Sequence, residues 1–308
     1  AQRCGIAADS AMPIVSSERA LRADDGKLNL PTAGPLAACG AAVYVATGNP
    51  SEPQQISIAK VDAGALKTTW TSAPVGAVSA LAADEARIYA IGTTSDAAKL
   101  VCLSSDSGKV IWSKPVASGE VLTSGRERIF AVTTPNTLSC LDAVSGTELW
   151  SRETGTLRGT PVLAHSLLFI VTTTADGWAL QCLDDSTGST LWSVKLTAES
   201  LTPATVAGGK VFVTQSSGLD AAKIYCFQVS DGVAAWTKDV NKAPVTYLCA
   251  SGDQLAFVNT ALRIVLLKQS TGEEGETVPL GKGAQPPVIG RNFLLVAGET
   301  RAGAFDLA

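Results

Sequence analysis

The residues of this 308-residue chain with the most chemistry to offer are seven cysteines, one histidine and a series of turn carboxylates. Cys102, Cys140, Cys182 and Cys226 recur once per repeat, each six residues before a glycine. A redox or soft-metal site needs two or more thiols within reach. Equivalent places on successive repeats are too far apart for the Cα separation of about 4.4–6.8 Å that a disulfide needs. No CxxC and no nearby histidine supplies the rest of a metal set. These thiols read as small buried apolar residues. His165 sits in a tight turn between two strands, and nothing beside it resembles the strand–turn–helix of a nucleophile elbow, so it reads as a solvated turn residue. Gly208-Gly209 and Gly281-Lys-Gly283 lie between strands rather than before helices, a weak phosphate signal. There is no P-loop and no HExxH. The expectation is no catalytic set, no cofactor site and no metal site.

What positions these residues is a repeat. Asp142-Ala-Val-Ser-Gly146-Thr-Glu-Leu-Trp150 and Asp184-Asp-Ser-Thr-Gly188-Ser-Thr-Leu-Trp192 are its clearest copies. Ser104 to Trp112 keeps Gly108, Gln228 to Trp236 keeps Gly232, and Lys268 to Glu276 keeps Gly272 without the tryptophan. Asp62 to Trp70 carries Leu66 in the glycine's place, and Arg22 to Leu30 keeps Gly26 but no tryptophan. The tryptophans at 70, 112, 150, 192 and 236 lie 42, 38, 42 and 44 residues apart. A period near 40 with short strands inside it is that of propeller blades. In this phrase the Asp accepts from turn amides, the Gly takes positive φ, and the Trp offers a broad face to the neighbouring blade. A carboxylate that recurs once per blade is therefore a turn residue.

Residues 159–197 show one unit: Thr160–Ala164 as strand A, Leu167–Thr173 as B, Trp178–Leu183 as C and Thr190–Val194 as D. An aromatic recurs in strand B at Tyr44, Tyr89, Phe130, Phe169 and Phe212. The predicted fold is all-β: a single β-propeller over residues 21–308, with residues 1–20 as an N-terminal tail. Six blades read fully. The remainder, 284–308, lacks an outer strand, and Gly26–Leu30 is an outer strand without a blade. The N-terminal strand therefore completes the last blade, which gives seven four-stranded blades and removes two open edges.

The phrase Asp-x-x-Ser/Thr-Gly-x-x-x-Trp closely resembles the tryptophan-docking repeat of the pyrroloquinoline-quinone-like propellers, over about 20–308. That family includes quinoprotein alcohol dehydrogenases and cofactor-free scaffolds such as the periplasmic lipoprotein of outer-membrane barrel assembly. The dehydrogenases carry adjacent cysteines, a calcium site and eight blades. This chain has no Cys-Cys and counts to seven. The resemblance thus implies the fold and its non-enzymatic branch, without the quinone.

The expected function is a protein-interaction scaffold, with a central-channel small-molecule binder or quinoprotein-like enzyme as the alternative. Formal net charge is -4, which gives no global reason to bind nucleic acid. No stretch reaches about 18 apolar residues, so no membrane insertion is expected. No leader is visible, and free buried thiols suit a reducing compartment. The expected location is intracellular and cytoplasmic, with a periplasmic or secreted one if a signal was removed. Charge sorts by rim: the C–D turns are acidic, while the opposite rim carries Lys114, Arg152, Arg158, Lys238, Lys242 and Lys282. Trp178 is the one tryptophan the repeat leaves unexplained, and it opens onto that basic rim. The candidate partner surface is Trp178, Arg152, Arg158, Lys238 and Lys242, since varied loops on a rigid frame carry binding.

Overall fold

The computed structural model describes residues 32–39, 42–62, 65, 67–94, 97–116, 122–125, 127–196, 200–216, 221–241, 248–259, 263–279, 288–289, 293–297 and 302–306. The described strands form antiparallel up-and-down sheets that follow one another along the chain. Sheet 1 holds Thr32–Cys39, Ala42–Thr47, Ser57–Asp62 and Lys67–Thr71. Sheet 2 holds Ala77–Ala83, Arg87–Thr93, Ala98–Ser104 and Val110–Val116. Sheet 3 holds Leu122–Gly125, Arg128–Thr134, Thr137–Asp142 and Glu148–Glu153. Sheet 4 holds Val162–Ala164, Leu167–Thr174, Gly177–Asp184 and Thr190–Leu196. Sheet 5 opens with two short strands, Ser200–Leu201 and Thr205–Ala207, that share the partner Lys210–Ser216; Ala221–Gln228 and Ala234–Asn241 follow. Sheet 6 holds Leu248–Ser251, Gln254–Val258, Arg263–Lys268 and Glu274–Pro279. Sheet 7 shows Val288–Ile289, Phe293–Ala297 and Ala302–Asp306. The predicted closing strand at Gly26–Leu30 lies outside the described residues.

By contact the chain divides into two compact units. Among described residues the first runs from 32 to Thr156 and includes Ser186–Gly188. The second takes Leu157–Asp185 and everything from Ser189. The first unit's core lies around Tyr89, Ile91, Leu100 and Cys102 and around Tyr44, Ile58, Ile88 and Leu103. The second unit's core lies around Phe169, Leu180 and Val213 and around Phe212, Ile224 and Leu267.

The repeat phrase forms the same turn each time. Gly108, Gly146, Gly232 and Gly272 each donate their N–H to the carbonyl four residues back, at 2.8–3.0 Å. All five motif glycines hold φ between +68° and +73°. Each also lies under an indole. A Cβ on Gly108, Gly146, Gly188, Gly232 or Gly272 would come within 2.5–2.9 Å of the ring of Trp70, Trp112, Trp150, Trp192 or Trp236 respectively. Four of these indoles are described donating Nε1–H to a carbonyl in the same turn: Trp70 to Ser105, Trp112 to Ala143, Trp192 to Val229 and Trp236 to Gln269, at 2.9–3.2 Å. On its other side each indole meets the strand-B aromatic of its own sheet, tilted, with centroids 5.9–6.3 Å apart. The glycine is thus required twice, by backbone conformation and by the close approach of a ring.

A bulge sets the direction of the indole. Pairing runs Cys182 with Trp192 and then Leu183 with Thr190, which leaves Leu191 as the extra residue. The same shift occurs after Lys60, Cys102, Cys140 and Cys226. The skipped residues Ile111, Leu149 and Leu191 turn outward and are about half exposed. Bulges re-aim side chains in this way.

Candidate interaction surface

The expected partner residues fall into three groups. Arg152 belongs to strand D of sheet 3, not to a loop. Side chains alternate along a strand, so Arg152 shares the face of Trp150, two residues earlier. Its Nη1 donates to the Gly188 carbonyl at 2.6 Å, in the turn that Trp150 covers. Burial holds the guanidinium below the usual arginine range. Lys238 stands two residues after Trp236 in strand D of sheet 5 and reaches Glu274 at 3.5 Å. Lys114 has the same place after Trp112. Arg152 and Lys238 thus reach from the docking face to the next repeat. Lys242 and Lys282 lie outside the described residues.

Arg158 and Trp178 form the second group, both in the second unit. The loop before sheet 4 is tied down along its length. Leu157 bridges to Thr172, and Arg158 N–H donates to the Val171 carbonyl at 2.7 Å. Gly159, at φ +73°, leaves only room for hydrogen beside Pro203. Arg158 Nε then donates to the Leu201 carbonyl at 2.7 Å, while the residue stays exposed. That bond orients the planar guanidinium. Trp178 is the second residue of strand C of sheet 4, opposite Leu196, and is half-buried against a cluster that includes Leu180, Leu196 and Leu201. The Leu201 carbonyl holds Arg158, and Leu201 belongs to the buried cluster against which Trp178 packs. This juxtaposition has no sequence signal, because the split first strand of sheet 5 breaks the periodic pattern.

The third group is scaffold. Asp142 Oδ1 accepts from the amides of Val144 and Ser145 and from the Ser145 hydroxyl, which holds its carboxyl below the usual range. Asp62 and Asp231 accept from turn amides in the same manner. His165 and Ser166 take φ of +51° and +67° in the turn between strands A and B, with His165 exposed, as a solvated turn residue should be. Cys102, Cys140, Cys182, Cys226 and Cys249 are buried and outside any disulfide, and burial pushes the thiols of Cys102, Cys182 and Cys226 up to about 12. Such thiols are poor nucleophiles and poor ligands. Cys39, at the end of strand A in sheet 1, differs: it is disulfide-bonded. No group of three His, Cys, Asp or Glu residues able to hold a metal occurs among the described residues. Among those residues, no helix is long and apolar enough to cross a membrane.

Consecutive antiparallel sheets joined by indole-on-glycine docks define a tryptophan-docked β-propeller. The family model described as outer membrane protein assembly factor BamB matches residues 54–170 and 136–308, and the chain belongs to that family of pyrroloquinoline-quinone-like repeat propellers. Among solved structures, BamB from Moraxella catarrhalis superposes with a TM-score of 0.67 at 15% identity, covering 91% of this chain and 86% of that one. Hsv2 from Kluyveromyces lactis, with its loop 6CD replaced by a Gly-Ser linker, gives 0.64 at 16%, covering 86% and 89%. Hydrazine synthase from Kuenenia stuttgartiensis gives 0.63 at 13%, covering 94% and 99%. At such identities these likenesses speak for the fold. No curated protein matches the sequence.

Proposed function

We propose that this chain is a non-enzymatic scaffold that holds another protein within a larger complex, through the loop face that carries Arg158 and Trp178. The observation that carries the reading is the Arg158–Leu201–Trp178 arrangement. A guanidinium pinned by its own Nε, and an indole half-buried on the cluster that includes the same Leu201, have already lost part of the freedom that binding would otherwise remove. Arginine and tryptophan are also the residue types that dominate interfaces. Family membership supports the reading, since the matching family is named for an assembly factor. The test is affinity purification from the source cell with Trp178→Ala and with Arg158→Glu. Complex recovery should fall at least about tenfold while the thermal midpoint stays within a few degrees, as for loss of an interface hot spot. Unchanged recovery with both variants would mean that this rim is not the partner surface. Addition of pyrroloquinoline quinone with calcium checks the enzyme alternative, because a true binder gains thermal stability.

We also propose that the chain works in an oxidising compartment, periplasmic or secreted rather than cytoplasmic. Buried, protonated thiols survive in either compartment and do not discriminate. A disulfide does, and Cys39 forms one. Thiol titration of the unfolded, unreduced protein should count five; a count of seven in protein isolated from its own cell would return the intracellular reading.

A further inference from the structure

The seven cysteines stand at 4, 39, 102, 140, 182, 226 and 249. Five of them, Cys102, Cys140, Cys182, Cys226 and Cys249, are outside any disulfide, while Cys39 is in one. Within one chain that leaves a single sulfur for Cys39, the sulfur of Cys4. Cys4 lies outside the described residues. Access points the same way, because thiol–disulfide chemistry needs a sulfur that an oxidant can reach. The five other described cysteines are no more than 2% exposed. Cys39 is only half-buried against the first unit's core.

The register of sheet 1 places this sulfur. Cys39 is the last residue of strand A and pairs with Ala42, and Ala42 pairs with Asp62, where the C–D turn begins. Cys39 therefore sits at the rim of the C–D turns. The repeat assigns Asp24-Asp25-Gly26 to a turn of the same kind. The 19 residues between Cys4 and Asp24 reach up to about 60 Å when extended, ample to bring residue 4 back to Cys39. We infer that Cys4 and Cys39 form a disulfide that anchors the N-terminal residues at the A–B hairpin of sheet 1. It closes residues 4–39 into one covalent loop with the predicted closing strand, 26–30, inside it. The pairing rests on the cysteine count; the enclosure of a closing strand rests on the seven-blade reading. Two thiols give up two protons and two electrons as the S–S bond forms. A disulfide oxidant, such as oxidised glutathione or a protein disulfide, takes them and leaves as two thiols. The expected N-terminal tail is then held at residue 4, and reduction releases it.

The test uses the purified full chain, so it does not depend on the compartment. The protein is treated with oxidised glutathione, alkylated in denaturant without reduction, and digested with trypsin. Cleavage after Arg3, Arg19, Lys27 and Lys60 puts Cys4 in peptide 4–19 and Cys39 in peptide 28–60, one cysteine in each. Mass spectrometry of the monomer band should show the two peptides linked, and reduction should part them. Peptide 4–19 alkylated, carrying another mass on Cys4, or linked only between two chains would overturn the pairing. Closing a loop of this length restricts the unfolded chain. Cys4→Ser should therefore lower the thermal midpoint by about 5–10 °C against the oxidised native chain. In reductant the two midpoints should coincide. Linked peptides with equal midpoints would leave the bond in place and overturn its role as an anchor. If Cys4→Ser fails to fold, the native chain with and without reductant gives the same comparison, since the five other described cysteines form no disulfide.

Discussion

At each described dock an indole rests on a glycine that no other residue can replace, because the turn needs φ near +70° and the ring occupies the space of a Cβ. Trp150→Ala should therefore cost about 3–5 kcal/mol, as for a large buried aromatic. Gly188→Ala should cost about 1–2 kcal/mol for the left-handed backbone, and about 1–3 kcal/mol more for overpacking against the ring. In the double variant the overpacking vanishes with the ring, so the two losses should fall short of additivity by about 1–3 kcal/mol in urea unfolding. Full additivity would mean that the ring and the glycine are independent. The sequence already hints at the coupling. In chain order each motif tryptophan precedes a repeat with glycine, and Leu30, where the tryptophan is missing, precedes Leu66. The buried thiols give a second residue-scale outcome. Their folded pKa is raised, so the folded chain keeps protons that the unfolded chain releases. Stability is full below the ordinary thiol value of 9.0 and declines as pH climbs toward about 12. The decline, followed by thermal unfolding, should be shallower in Cys182→Ala than in the native chain.

Among elements, the outer strand of each sheet does more than its sequence announces. The bulge just after the turn rotates Ile111, Leu149 and Leu191 outward and sends the tryptophan and the residue two places on toward the neighbouring turn. Arg152 is the consequence. Its bond to the Gly188 carbonyl is charge-assisted and part-buried, so Arg152→Ala should destabilise by about 1–3 kcal/mol. Lys238 meets Glu274 at 3.5 Å in a partly exposed pair, and Lys238→Ala should cost less than about 1 kcal/mol. Parallel denaturation of the two variants checks the order. Period-2 alternation by itself puts Arg152 on the face of Trp150. A loop position, which follows if strand D ends soon after its tryptophan, points the other way; the strand in fact runs on to Glu153.

Over the whole molecule, the family match spans 54–308 and the fold is a propeller. Seven blades closed by the N-terminal strand remains the arrangement the repeat count proposes. Deleting residues 1–31 should open an edge and lower stability sharply, whereas deleting 1–15 should be nearly neutral. Both are measured against the full chain in reductant, so that the Cys39 disulfide drops out of the comparison. Equal stability of the two truncations would exclude closure by residues 26–30.

The sequence alone determined the strands, the turns and the docks. Each depends on residues close in sequence, repeated until chance is excluded: a glycine that must take positive φ, a tryptophan four residues on, a thiol six residues before. It also reads His165 and the recurring Asp residues as turn residues: the histidine falls in a tight turn, and a carboxylate present in repeat after repeat is explained by the repeat. Tertiary structure decided what depends on two distant segments meeting. Arg158 is positioned by the carbonyl of Leu201, Cys39 is oxidised, and Lys60 finds Ser105 in the next sheet. None of these has a local periodic signature, since a contact between segments about 40 residues apart is set by how sheets pack and not by the spacing within either one.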